Sequence, residues 1–437
     1  MSHLKPELAD GTDGAEGHVW SIKEHPLRVI LSTGERLLEQ KRYGVAERVF
    51  KEALLKRPWS IRGLTGLGVA YNATNRPTEA VRCFAKIMSY RPDLPKAMEG
   101  CGHAHSMLED YRKSESWYRR AVASAPSARS ASIALGVTKL RLGDWQQGFA
   151  LYDLREGVKT LEQSIGQEKM WDGHADLDGK TIFVVGEQGY GDHIQFLRYC
   201  ALLKARGAHI IFYTREPLRQ LCEWVPYIDR VVVGGQKAAF DYAVMAMSLP
   251  GLFGTLPDNI PSRSAYIPTP CSQRLGKPEK EKTALRIAIA WTGNPANSRN
   301  EIRSCPSELI AELIEGTEKA TFQALPFDLA SEDNTVLANL PPLCELDATF
   351  ADVAVKLNQI DLIISVDTSL VHLGGALGKK TWLMIGKQPD WRWLTTGEDN
   401  LWYDSVRLFR MTTDWPQLIT QVKESLDRFL DDPTSQI

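Results

Sequence analysis

The chain has 437 residues, 43% hydrophobic and 24% charged, with a formal net charge of −2. That length exceeds one hydrophobic core and implies two or three domains. The near-neutral charge gives no basic field for nucleic acid or an anionic membrane surface, and no apolar run approaches the roughly 18–20 residues of a membrane span.

Residues 1–26 lack an apolar signal core and read as a polar, flexible tail. The 7 cysteines are scattered and form no C-x-x-C pair, which argues against structural zinc or a disulfide framework and for a reducing cytoplasm.

The first predicted elements are helices, over residues 27–157, and they repeat. Pro58, Pro92 and Pro126 recur at a constant step of about 34 residues. Gly34, Gly68, Gly102 and Gly136 keep the same step, as do Phe50, Phe84 and Tyr118, and Ala46, Ala80 and Ser114. This period resembles the tetratricopeptide repeat, a helix–turn–helix unit. Small residues let paired helices approach, aromatics fill the gap, and proline stops the second helix. Three full repeats are expected, then a degenerate capping repeat through Gly143, Trp145 and Tyr152. Such a solenoid either presents a face to a protein partner or braces the domain that follows.

A linker is expected over 158–178. Its Asp176-Leu177-Asp178 has the form of a metal-binding D-x-D, but it precedes a strand and reads as a surface turn. Short apolar runs then alternate with helical stretches: TIFVV, HIIFY, RVVVG and DYAVM over 179–271. After a lysine-rich linker at 272–283 come LRIAIAW, TFQAL, DLIIS and TWLMI over 284–437. This alternation predicts two parallel α/β halves of Rossmann type, with a cleft at the carboxyl ends of their strands.

Two constellations fall at strand ends. In VVGEQGYGDHIQF the glycine order is neither the Walker loop nor the dinucleotide fingerprint, which makes a nicotinamide enzyme a poor reading. Asp192, with Gln195 three residues on, resembles a capping box; an aspartate there equally suits a general base. In DLIISVDTSLVHLGGALGKK the turn Asp367-Thr368-Ser369 opens a helix whose free N–H groups suit a phosphate. A plain cap is the alternative there, and His372 reads equally as an internal histidine. WTGNPANSRNEIRS supplies Asn294, Asn297, Arg299 and Arg303 on the same side, and QPDWRW supplies Arg392.

Together GEQGYGDHIQFLRY, WTGNPANSRN, DLIISVDTSLVHLGGALGK and PDWRW resemble bacterial tetratricopeptide-repeat proteins that carry a glycosyltransferase domain related to the ADP-heptose:lipopolysaccharide heptosyltransferases. The resemblance covers about residues 30–430. It implies an N-terminal α-solenoid followed by a GT-B domain, with the acceptor over the first half and the nucleotide-sugar in the second. It implies Asp192 as base, beside an acceptor-side loop of Gln188, Gly189, Gly191 and Gln195. The nucleotide-sugar would lie against Asn294, Arg299, Arg303, Asp367, Thr368, Ser369, His372 and Arg392. The family's phosphate-binding lysine has no match in these motifs, so Arg299 or Arg303 would substitute. No metal or other cofactor is implied; the donor would be a CMP-nonulosonic acid or an ADP- or UDP-linked sugar. Some members resemble flagellin glycosyltransferases, so a protein acceptor such as flagellin, held by the repeats, is the leading expectation. The alternatives are transfer to lipopolysaccharide or another glycan, and a repeat scaffold with an inactive transferase domain.

Overall fold

The computed structural model describes residues 26–270, 284–297, 299–325, 328, 335–397 and 400–432. The expected tail, apart from Pro26, and the expected linker at 272–283 lie outside the described residues. The chain separates into two compact units at Leu108 and Glu109.

The first unit is a run of antiparallel helices: α1 (Leu27–Glu39), α2 (Tyr43–Lys56), α3 (Ile61–Ala73), α4 (Pro77–Tyr90) and α5 (Pro95–Met107). The glycine and aromatic registers meet as a repeat requires. The Phe50 ring lies between Gly34 and Gly66, and the Phe84 ring between Gly68 and Gly100, so closely that a Cβ on any of these glycines would enter the ring. Pro77 and Pro95 open their helices at a position where no N–H is needed. Pro58 and Pro92 lie just beyond α2 and α4.

The second unit begins with three more repeat helices: α6 (Tyr111–Ser124), α7 (Arg129–Arg141) and α8 (Trp145–Tyr152). Asp110 and Asp144 cap two of them by accepting the N–H groups of Lys113 and Gln147. The segment expected as linker over 158–178 instead starts inside a helix, α9 (Glu156–Ile165). Val158, Leu161 and Ile165 share one face of it, and Gly166, at φ 87°, ends it.

The first α/β half follows. It comprises β1 (Thr181–Val185), α10 (Tyr190–Phe196), α11 (Cys200–Ala205), β2 (His209–Thr214), α12 (Arg219–Glu223), β3 (Arg230–Val233), β4 (Tyr242–Met245) and α13 (Leu249–Leu252). Its four strands are parallel in the order β3-β2-β1-β4. The second half carries β5 (Leu285–Ala290), α14 (Asn300–Arg303), α15 (Ser307–Ile314), β6 (Ala320–Ala324), α16 (Thr335–Ala338), α17 (Phe350–Leu357) and β7 (Leu362–Val366). It continues with α18 (Ser369–Ala376), β8 (Thr381–Ile385), β9 (Val406–Arg410) and α19 (Trp415–Asp431). These five strands are parallel in the order β6-β5-β7-β8-β9. Helical repeats followed by two parallel-sheet α/β halves are the arrangement expected from the sequence.

Strand order places the loops that matter. In an open parallel sheet a crevice forms where neighbouring strands send their connections in opposite directions. Those points lie between β1 and β4 in the first sheet and between β5 and β7 in the second. Both sequence constellations follow one of these strands. The halves also share a core: Trp145 and Phe149 of α8, Ile182 and Phe196 of the first half, and Ala288, Leu370, Trp391 and Trp402 of the second form one buried cluster. A separate cluster, including Ile287, Trp382 and Val422, fills the opposite face of the second sheet.

Candidate functional site

At the end of β1, Gly186 donates its N–H to the Tyr213 carbonyl at 2.9 Å, and a Cβ at this position would collide with the His193 ring. Gln188 adopts a left-handed conformation, φ 61°, and its side-chain amide donates to the Tyr152 hydroxyl at 2.6 Å. The helix cap is Gly189, not Asp192. Extended backbone at Gly189 starts α10 early, so Asp192 becomes the third helical residue and accepts the Gly189 N–H at 2.7 Å. Gln195 takes no part in capping; its Oε1 accepts from Arg392 Nε.

Arg392 is the centre of the arrangement. It comes from the loop after β8, in the second half, and one Nη donates to Asp192 across the cleft. Its other Nη donates to Asp390 at 2.8 Å, and its guanidinium lies over the Trp391 ring at 4.5 Å. Burial pushes the Asp192 carboxyl above its ordinary range, and Arg392 opposes that rise. Burial alone would raise Asp390 as well, but Arg392 and Arg299 outweigh it and hold that group ionised.

On the second half, the loop after β5 folds over its own side chains. The Gly293 N–H donates to Asn300 Oδ1 at 2.9 Å, and Arg303 donates to the Asp367 carbonyl at 2.9 Å. Arg299 donates to the Gln388 carbonyl and lies 3.7 Å from Asp390. Thr368 caps α18 by accepting the Leu370 N–H, with Ser369 as the first helical residue. Arg299, Arg303, Asp367, Lys387 and Asp390 line a pocket of about 90 Å³ beside this helix start. That is room for a few waters or one phosphate, not for a whole nucleotide.

Two expected ligand residues sit elsewhere. Asn294 is exposed and accepts the Ala296 N–H in its own turn, outside the pocket lining. His372 packs the halves together: Nδ1 meets the Tyr403 hydroxyl at 2.9 Å, and the ring stacks on Trp393. It faces Gly191 so closely that a Cβ there would come within 2.5 Å of His372 Cδ2. Asn297 lines the pocket as well, and sequence reasoning missed Asp390 and Lys387. The first stands inside the quoted QPDWRW, and Lys387 directly follows the turn glycine after β8. Asp176 accepts the Asp178 N–H in a turn, and among the described residues no cluster of three His, Cys, Asp or Glu could hold a metal. No helix among them is long and apolar enough to cross a membrane.

Burial holds His372 down to about 3 and His193 to about 4, so both rings are neutral in the fold. An unfolded chain binds their protons below about pH 6.5. Stability therefore falls as pH drops through the window from that value toward the native pKa, by about 1.4 kcal/mol per pH unit for each ring. His372→Asn should flatten the slope of unfolding free energy against pH between about 6 and 4.5, read by urea titration. An unchanged slope would show that His372 does not contribute.

No protein-family model matches the chain. Among curated proteins, Protein FlbA of Caulobacter vibrioides is 22% identical over an alignment of 435 residues, taking in 84% of this chain and 72% of that protein. Among solved structures, E. coli ADP-heptose lipopolysaccharide heptosyltransferase II is similar at 15% identity and a TM-score of 0.39. It covers 58% of this chain and 100% of that one. The family 9 glycosyltransferase of Veillonella parvula is similar at 14% identity and a TM-score of 0.43, covering 59% of this chain and 91% of that one.

Proposed function

We propose that the protein is a glycosyltransferase that moves a sugar from a nucleotide-sugar to an acceptor hydroxyl, with a serine or threonine of a protein as the acceptor. One observation carries this reading: Arg392 joins a carboxylate on one half, Asp192, to Asp390 at a phosphate-sized pocket on the other, lined by three cations and two carboxylates. The donor phosphate would sit against Arg299, Arg303, Lys387 and the start of α18. The acceptor oxygen attacks the anomeric carbon while its proton passes to Asp192. The bond from that carbon to the phosphate oxygen breaks, and the phosphate leaves with the electron pair, its charge met by the three cations. Flagellin is the acceptor the family resemblance suggests.

The repeats supply a place to hold such a protein. Arg28, Arg57, Arg62, Trp59 and Tyr90 line an open groove of about 740 Å³ in the first unit. Trp59 and Tyr90 are more than half exposed.

The test is release of nucleotide from CMP-, ADP-, UDP- and GDP-linked sugars, with intact-mass analysis of flagellin and of total glycan as acceptors. One nucleotide should bind, and Arg299→Ala should weaken it about tenfold or more, the loss of one charge-assisted bond. Trp59→Ala with Arg57→Glu should lower protein modification but spare donor binding. A mass shift on glycan alone would replace the protein acceptor with a polysaccharide. Absence of any nucleotide binding would remove the transferase reading.

A further inference from the structure

The crevice between β1 and β4 is the natural ligand position of the first sheet, yet here it is filled by the protein itself. The joint between α8 and α9 delivers Arg155 into it. Arg155 Nε and Nη2 grip the Glu187 carboxylate at 2.8 and 2.5 Å, just past β1. Nη2 also donates to the Ser248 hydroxyl at 2.9 Å, just past β4, and Nη1 donates to Asp153. Ser248 closes the ring by donating to Asp153 at 2.8 Å, and the Met247 N–H donates to Glu187. Arg155 is 6% exposed, and burial alone would weaken its hold on its proton, but Glu187 and Asp153 more than offset that.

The next residue along is Gln188, whose left-handed backbone is costly for a side chain and persists only when its surroundings enforce it. Two grips enforce it here. Its amide reaches Tyr152, the last residue of α8, and its carbonyl accepts from Arg215 at 2.6 Å. Gly189 follows directly and donates its N–H to Asp192, so the last repeat helix, together with Arg392, sets the carboxylate's place.

We propose that Arg155 is a positioning residue for the transfer reaction: the final repeat, through Arg155 and Tyr152, holds the Glu187–Gln188 stretch and thereby aims Asp192. This rests on the assignment of Asp192 as base. It makes the end of the acceptor-holding repeats a working part of the catalytic loop, so that displacement of that joint reaches the carboxylate through two residues.

Hydrogen exchange on the full chain, without substrate, reads the positioning itself. In Arg155→Met, amides of residues 186–192 should exchange about tenfold faster or more, while those of β7 and α18 keep their wild-type protection. Arg155→Lys should restore part of the protection, and Tyr152→Phe should loosen Gln188 with little effect on overall stability. In transfer assays with whichever nucleotide-sugar the release test identifies, Arg155→Met should lower kcat by about 100-fold and leave the donor KM within about twofold, as misplacement of a catalytic group by about 1 Å does. Unchanged exchange in the loop would overturn the proposal. So would acceleration spread evenly over both sheets, which marks general destabilisation. If loop exchange responds but Asp192→Asn transfers normally, the positioning stands and the base assignment falls.

Discussion

Replacing Asp192 by asparagine should lower transfer by about 1000-fold while leaving the protein folded. Removal of a general base typically forfeits 10²–10⁴ in rate, hence about that figure. The fold survives because asparagine still accepts the Gly189 N–H through its oxygen. Arg392, meanwhile, keeps Asp390 and Gln195 as partners, so no buried charge is orphaned. Alanine is a poorer choice, since it removes the cap bond as well. The pH profile adds a second readout. A base must be ionised to work, so activity falls as pH drops through the carboxyl's pKa. Burial raises that pKa, placing the acidic limb of kcat above the ordinary aspartate range of about 3.9. Asp192→Asn should abolish the limb together with the rate. Normal transfer by this variant, with the limb intact, would leave Asp192 as a structural partner of Gly189 and Arg392 only.

The second large effect concerns where the α/β part of the fold begins. A chain started at Met170, just before the first sheet, should be insoluble or unfolded. A chain started at Glu109 should fold and bind nucleotide. The reason is the aromatic cluster between α8 and the second half. Trp145 stacks on Trp402 with ring centroids 5.2 Å apart and meets Trp391 edge-on, and Phe149 meets Trp391 at 5.6 Å. Trp145 also donates its indole N–H to the Leu140 carbonyl at 3.1 Å. All four rings are at most 3% exposed. Starting at Met170 would bare Trp391 and Trp402 and strand Glu187 without Arg155. Even one substitution, Trp145→Ala, should cost about 3–5 kcal/mol, measurable by urea unfolding. A soluble, cooperatively folded chain from Met170 would show that the α/β halves do not need α8.

Much of this architecture was legible because its signals are local. A period of about 34 residues announces helical repeats, and apolar runs broken by glycine loops announce parallel strands. The loops at Asp192 and Asp367 stood out because they close such runs. What stayed hidden depends on chain segments far apart in sequence. Arg392 read as a phosphate ligand because loop arginines after a last strand often are; only the fold shows Asp192 in front of it. Arg155 carried no signal, lying between two helices with no motif around it. His372 matched a ligand pattern yet spends its ring on Gly191, Tyr403 and Trp393, a packing role that no spacing reveals. The strand VRLFR and the long helix α19 went unread because they follow the last recognisable motif.

Arg198 shows how the halves are fastened. Buried in α10's extension, it donates to the Trp402 carbonyl at 2.7 Å and sits against the rings of Tyr266 and Tyr403. Beside it, the Tyr266 and Ile267 N–H groups donate to the Ala376 carbonyl. Halves joined in this way are not exchangeable cassettes. Grafting the second half of another protein onto this first half would strand a guanidinium among unmatched rings. Changes in what the second half binds would therefore have to arise within the loops after β5, β7 and β8, one side chain at a time.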